Sequence, residues 1–292
     1  MKKKFIKSGY YVNAILILSV FLFFSCNSED TNIDDEVGSL DISNATMQTE
    51  IDNISEGIDD IVASISFDSE GPTLLKSDGT KNTEESKFLP ECATIKKTIT
   101  DSYKKVIIDY GEGCTNRNDN FLSGKIILEF SFNLQDRSVI INSTFDNFYF
   151  NYKKIEGEVH KTRIKINENG NPQAITNKDL KITWEDGSYA SVKGERKREW
   201  VEGFGNRIWG DNVFLITGTW TITDKDGLVR TAMILEPLRR ESACRFIVSG
   251  IVEIQKGDDK INLNYGDGEC DDLAIVTIDG TENEIHLRNR RE

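Results

Sequence analysis

Histidine occurs only twice in this 292-residue chain, at His160 and His286, and none of the cysteines forms a C-x-x-C pair. A four-ligand zinc site therefore lacks its usual ligands. Positive charge is also short: 36 Lys and Arg against 49 Asp and Glu give a formal net charge of -13. Such a chain repels nucleic acid and anionic lipid surfaces, which leaves divalent cations and basic molecules as charge-matched partners. No Gly-x-Ser-x-Gly elbow is present to carry a nucleophile. Beyond the N-terminus, no stretch approaches the roughly 20 apolar residues that a transmembrane helix needs.

The N-terminus is where apolar residues do run together. Lys2, Lys3, Lys4 and Lys7 precede an apolar segment from about Val12 to Phe24, which ends at Ser25-Cys26. This is the pattern of a secretory leader over residues 1–25. A cysteine behind a small residue at the end of such a run resembles a bacterial lipobox, and that resemblance implies cleavage before Cys26 and its lipidation. Residues 26–43 begin "CNSEDTNIDDEVGS", too polar and acidic to bury a core, and read as a solvated tether. Acids directly behind such a cysteine also resemble the surface-export signal of Bacteroidetes lipoproteins. Loss of the leader's four lysines brings the net charge from -13 to near -17.

Over residues 44–66, Met47, Ile51, Ile54, Ile58, Ile61 and Ile65 recur at steps of four and three, the period of an amphipathic helix. Asn44 or Thr46 is placed to cap it. The apolar stripe should pack on a sheet; the opposite face, with Glu50, Asp52, Asn53, Glu56, Asp59 and Asp60, is polar. Residues 67–91 read as a loop. From residue 92 to 292, short alternating runs are separated by turn signals such as "NENGNP", "WEDGSY", "TDKDGL", "QKGDDK" and "IDGTEN". That spacing predicts an all-β domain, an antiparallel meander forming a curved sheet, half-barrel or sandwich with the helix packed on it. The segment "NFYFNYKKIEGEVHKTRIKI" reads as one long strand.

Four further cysteines remain in what reads as an exported chain, an even number that suggests disulfides. Two nearly identical phrases carry two of them: "YGEGC" from Tyr110 to Cys114 and "YGDGEC" from Tyr265 to Cys270. Each closes a unit of cysteine, strand, turn, strand, phrase. A hairpin brings its ends together, so the expected pairs are Cys92 with Cys114 and Cys244 with Cys270; the crossed pairings, including Cys114 with Cys270, stay open on sequence alone. The glycines supply positive φ or a bulge where the strand ends. Neither phrase is a phosphate loop, since no Lys-Ser pair or helix start follows. Asp109, Glu112, Asp267, Glu269 and Asp271 could together with loop carbonyls hold Ca²⁺, although their spacing matches no EF-hand.

The stretches "VIIDYGEGCTNRNDNFLSGKIILEF", "GTWTITDKDGLVRTAMILEPLRRESACRFIVSGIVEI" and "LNYGDGECDDLAIVTIDGTENEIHL" resemble a family of uncharacterised Bacteroidetes lipoproteins, from Cys92 to the C-terminus. Here "NDNFLSGKI" replaces that family's usual Asp-Gly-Arg turn. The resemblance implies a surface or periplasmic lipoprotein and carries no catalytic residue.

No catalytic constellation emerges, so the chain reads as a non-enzyme without a cofactor. His160 and His286 lie in strands among charged neighbours, as strand-face polar residues do. Trp200, Phe204 and Trp209, beside Arg196, Lys197, Arg198 and Arg207, offer either an aromatic platform for glycan rings or a loop folded back onto the sheet. Two functions follow. One is a lipoprotein anchored in the outer membrane through Cys26, displaying a binding or structural module for a glycan, protein or envelope component at the cell surface. The other is a periplasm-facing carrier that holds an apolar ligand in a curved sheet under its helix. A carrier needs an open apolar concave face; a display module fills it.

Overall fold

The computed structural model describes residues 40–67, 89–99, 104–133, 135, 138–206 and 208–287. The leader, Cys26, most of the tether and most of the 67–91 loop lie outside them, as does the side chain of Trp209. Among the described residues, one α-helix, α1 (Ile42–Phe67), precedes fourteen strands. They are β1 (Thr94–Ile99), β2 (Lys104–Asp109), β3 (Cys114–Thr115), β4 (Phe121–Asn133), β5 (Ser138–Phe150), β6 (Lys153–Ile164) and β7 (Gln173–Thr183). There follow β8 (Tyr189–Glu202), β9 (Val213–Asp224), β10 (Val229–Glu241), β11 (Ile247–Lys256), β12 (Asp259–Asp267), β13 (Leu273–Ile278) and β14 (Thr281–His286).

α1 starts earlier than expected because Asp41, not Asn44 or Thr46, is its cap. The Asp41 carboxylate accepts the Asn44 N–H at 3.1 Å, and the Asn44 carboxamide oxygen accepts the Asp41 N–H in return at 3.2 Å. Such a reciprocal pair satisfies two backbone donors at once.

All strands join one antiparallel sheet in sequence order, except that β3 pairs only with β4, and the sheet is not closed into a barrel. The expected turns hold at Asn167–Asn171, Trp184–Ser188 and Asp224–Leu228. One expected strand does not. β5 runs through Asp146 with a bulge between Thr144 and Phe148, and the chain reverses at Asn151-Tyr152, splitting "NFYFNYKKIEGEVHKTRIKI" between two strands. The turn carries no glycine, so its sequence does not announce it.

Further register shifts interrupt the β4–β5, β8–β9, β9–β10, β10–β11 and β11–β12 pairs. Bulges tighten the twist locally and curl a broad sheet. Gly157 in β6 has φ +107°, and a Cβ there would stand 2.1 Å from the Asp179 carbonyl, so only glycine lets β6 and β7 approach so closely at that bend. Curling brings β5 to β10, β12 and the residue after β14 against α1: Phe150, Lys161, Lys178, Arg196, Trp220, Arg240, Tyr265 and Leu287 all reach it. On the helix, Gly57 makes room for the Phe150 ring. Ile51, Ile54, Ile58, Ile61 and Ile65 join a single apolar cluster with the inward faces of the strands.

Cys92 bonds to Cys114 and Cys244 to Cys270, with Cα separations of 6.3 and 5.7 Å. These are the pairs expected of hairpin ends, and not the crossed ones.

Candidate functional site

Both faces of α1 are buried, the polar one included. Asp52, Glu56, Asp59 and Asp60 follow one another along the helix, and each faces a cation projecting from the sheet. Arg196 donates to Asp52 and, at 3.1 Å, to Glu56. Arg198 donates to Asp60 at 2.6 Å, and Arg240 donates to the other oxygen of Asp60 at 2.8 Å. Lys161 and Lys178 hold the two oxygens of Asp59 at 2.5 and 3.2 Å. The Arg196 guanidinium lies over the Trp220 ring at 3.9 Å, and Arg198 lies over Phe214 at 3.8 Å. Flat, weakly hydrated guanidinium groups tolerate this packing better than lysine would.

Nine charged groups, four acids and five bases, are thus sealed together, none more than 9% exposed. Burial alone would raise the Asp59 carboxyl; the charges of Lys161, Lys178 and Arg198 outweigh it and hold Asp59 well below the ordinary carboxylate range. Burial likewise opposes ionisation of Asp60, and Arg240 and Arg198 together overcome it, so its pKa is also lowered. Breaking one such pair by removing a partner costs about 3–5 kcal/mol, because the remaining charge stays buried.

The repeated phrase feeds this interior. Its four glycines, Gly111, Gly113, Gly266 and Gly268, all have positive φ, as expected for strands that end in tight turns. What sequence reasoning passed over is the tyrosine. Tyr110 is 1% exposed and packs against Phe148, its hydroxyl without a hydrogen-bond partner among the described residues. Tyr265 is 2% exposed and donates its hydroxyl to Asp52 at 2.5 Å. Arg240 completes the connection, since it also donates to the carbonyls of Cys244 and, at 3.1 Å, Phe246. The second disulfide loop is thereby tied to the helix.

Of the acids considered for Ca²⁺, Asp109, Asp267 and Asp271 accept turn hydrogen bonds. Asp109 accepts the Gly111 N–H at 2.9 Å and pairs with Lys125 at 3.4 Å. Asp267 and Asp271 accept N–H bonds from Glu269 at 3.4 Å and Leu273 at 3.1 Å, while Glu112 and Glu269 are exposed. Among the described residues, no three carboxylate, histidine or cysteine side chains gather as a metal-binding group. His160 and His286 are exposed, beside Glu158 and Asp272 at 3.3 Å each. Trp200 is buried, edge-on to Phe204 at 5.1 Å and beside Phe214, with its indole N–H given to the Glu202 carbonyl. Phe204 keeps 41% of its surface exposed.

A cleft of about 690 Å³ opens beside α1. Glu50, Asn53, Ile54 and Gly57 of the helix line it, with Phe150–Lys153 at the β5–β6 turn and Trp184–Asp186 at the β7–β8 turn. Asp119, Asn120, Arg240, Arg245 and Leu287 complete the wall. Two ion pairs cross it: Lys153 lies 3.4 Å from Glu50, which also accepts the Trp184 indole N–H at 2.5 Å, and Arg245 pairs with Asp119 at 3.1 Å. The last pair links the two disulfide-closed segments, since Arg245 follows Cys244 and Asp119 lies in the loop after Cys114.

No protein-family model matches this chain, no curated protein matches it in sequence, and no solved structure matches its fold.

Proposed function

We propose that this chain is a cell-envelope lipoprotein, held in the outer membrane by lipid on Cys26 and displaying a non-catalytic binding or structural module, of the Bacteroidetes type that its motifs resemble. The observation that carries this reading is the filled concave face: α1 occupies it, and paired charges, not an apolar hollow, lie beneath the helix's polar side. A carrier of apolar ligands needs that space, and an apolar ligand entering it would strand several buried ions. The acidic tether and strongly negative chain fit display away from anionic lipid.

Labelling with radioactive palmitate tests the anchor: the wild type incorporates label and Cys26→Ala does not. Protease treatment of intact cells tests the display, with digestion expected without lysis. Protection until the outer membrane is opened would turn the module toward the periplasm.

A further inference from the structure

The cleft beside α1 has a composition that points to a class of ligand. Its volume of about 690 Å³ falls within the range of small-molecule sites, roughly 300–1,000 Å³. It carries no strong field of one sign, because four carboxylates and three cations share its lining and two pairs of them, Lys153 with Glu50 and Arg245 with Asp119, are joined directly. A phosphate or a metal ion would need an uncompensated cluster, and an apolar ligand would need a wall without ions. What remains is a surface of amides, carboxylates and aromatic rings, with donors and acceptors interleaved. That is complementary to an uncharged, polyhydroxylated molecule whose ring faces are apolar and whose edges hydrogen-bond.

The backbone singles out one side chain. Among the described residues, five that are not glycine have positive φ, and three of them, Asp119, Asn151 and Tyr152, line this cleft. Asparagine and aspartate adopt that conformation with little strain. Tyrosine does not, and at φ +66° Tyr152 occupies the second position of a two-residue hairpin turn, where glycine is the favoured residue. The strain is accompanied by a deliberate support. Tyr152 stacks on Phe121 at 4.6 Å with the rings 9° apart, and it remains 41% exposed. Phe121 in turn occupies the space that a side chain on Gly113 would fill, so the first repeated phrase seats the stack. Asn151 locks the turn by accepting the Phe121 N–H at 2.8 Å and donating to Asn120 at 2.9 Å. Strained residues held this firmly concentrate at sites of binding.

We infer that this cleft binds a short stretch of uncharged glycan, with Tyr152 as the stacking platform for one sugar ring. The inference rests on the reading of the chain as a binding module. It is tested on the full chain purified in detergent, so that its outcome is separate from that of palmitate labelling and protease treatment of cells.

The probes are soluble hexasaccharides of glucose, mannose and N-acetylglucosamine, with a hexamer of galacturonic acid as the charged control, followed by titration calorimetry. At least one neutral hexamer should bind, and more tightly than the acid. Tyr152→Gly relieves the backbone strain and should weaken binding about tenfold, in line with the loss of one ring-stacking contact, at an unchanged melting temperature. Tyr152→Trp should retain binding and shift its emission on addition of the same sugar, which keeps the test informative if the glycine variant folds poorly. Absence of binding by all three neutral hexamers, preference for the acidic one, or equal affinity in Tyr152→Gly would each overturn the assignment.

Discussion

The two disulfide-closed hairpins share a phrase and a plan but serve different interiors. In the first, Tyr110 enters an apolar environment beside Phe148 and its hydroxyl makes no hydrogen bond to any described residue. In the second, Tyr265 meets the helix where it is charged and donates to Asp52. Burial raises the pKa of both hydroxyls, so both are donors at any physiological pH, yet among the described residues only Tyr265 finds an acceptor. The first hairpin instead supports the exposed stack of Phe121 and Tyr152, and the second joins the ion network through Arg240. Identical local chemistry thus specifies a turn and an inward ring, while the partner across the core decides what the ring contributes.

Acid should break the comparison most severely, because it disables only the ionic half of the interior. Asp59 and Asp60 have lowered pKa values in the folded protein, so their contribution is complete above the unfolded carboxylate value of about 3.9 and is lost as pH falls through the lower folded values. Urea unfolding midpoints should therefore change little between about pH 7 and pH 5 and drop steeply below about pH 4. A uniform decline beginning near pH 6 would implicate other groups.

Arg240→Ala comes next. It strands an oxygen of Asp60 and the carbonyls of Cys244 and Phe246, and should cost about 3–5 kcal/mol in equilibrium unfolding. Tyr265→Phe removes one hydrogen bond to a charged acceptor and should cost about 1.5–3 kcal/mol. The matching change in the first hairpin, Tyr110→Phe, deletes a buried hydroxyl without a partner and should be neutral or slightly stabilising. Equal losses for the two phenylalanine variants would mean that the hairpins are not distinguished by their partners.

Much of this architecture was legible because its signals are local. Alternating runs and glycine- or asparagine-rich turns mark the meander, and cysteines at hairpin ends mark the two disulfides. The β5–β6 reversal was not, since Asn151-Tyr152 lacks the glycine that such turns favour. Strand-face parity carries a further signal. Arg196, Arg198 and Trp200 share one face of β8 with Ala190 and Val192, and Lys178 shares a face of β7 with Leu180 and Ile182. Basic residues in phase with buried aliphatics mean buried cations, and the acids of α1 at helical spacing are their complement.

The cleft was less accessible still. Asp119, Tyr152, Trp184 and Arg245 are far apart in sequence and are gathered only by the curl of the sheet. The sequence by itself determined the helix, the antiparallel meander and most of its turns, and it favoured the two hairpin-closing cysteine pairs, because each depends on contacts between near neighbours in the chain. Tertiary structure alone decided that the helix is enclosed, that its acids are paired, and that the two phrases look onto different surroundings. Those outcomes depend on the curvature accumulated over many strands, which no single segment encodes.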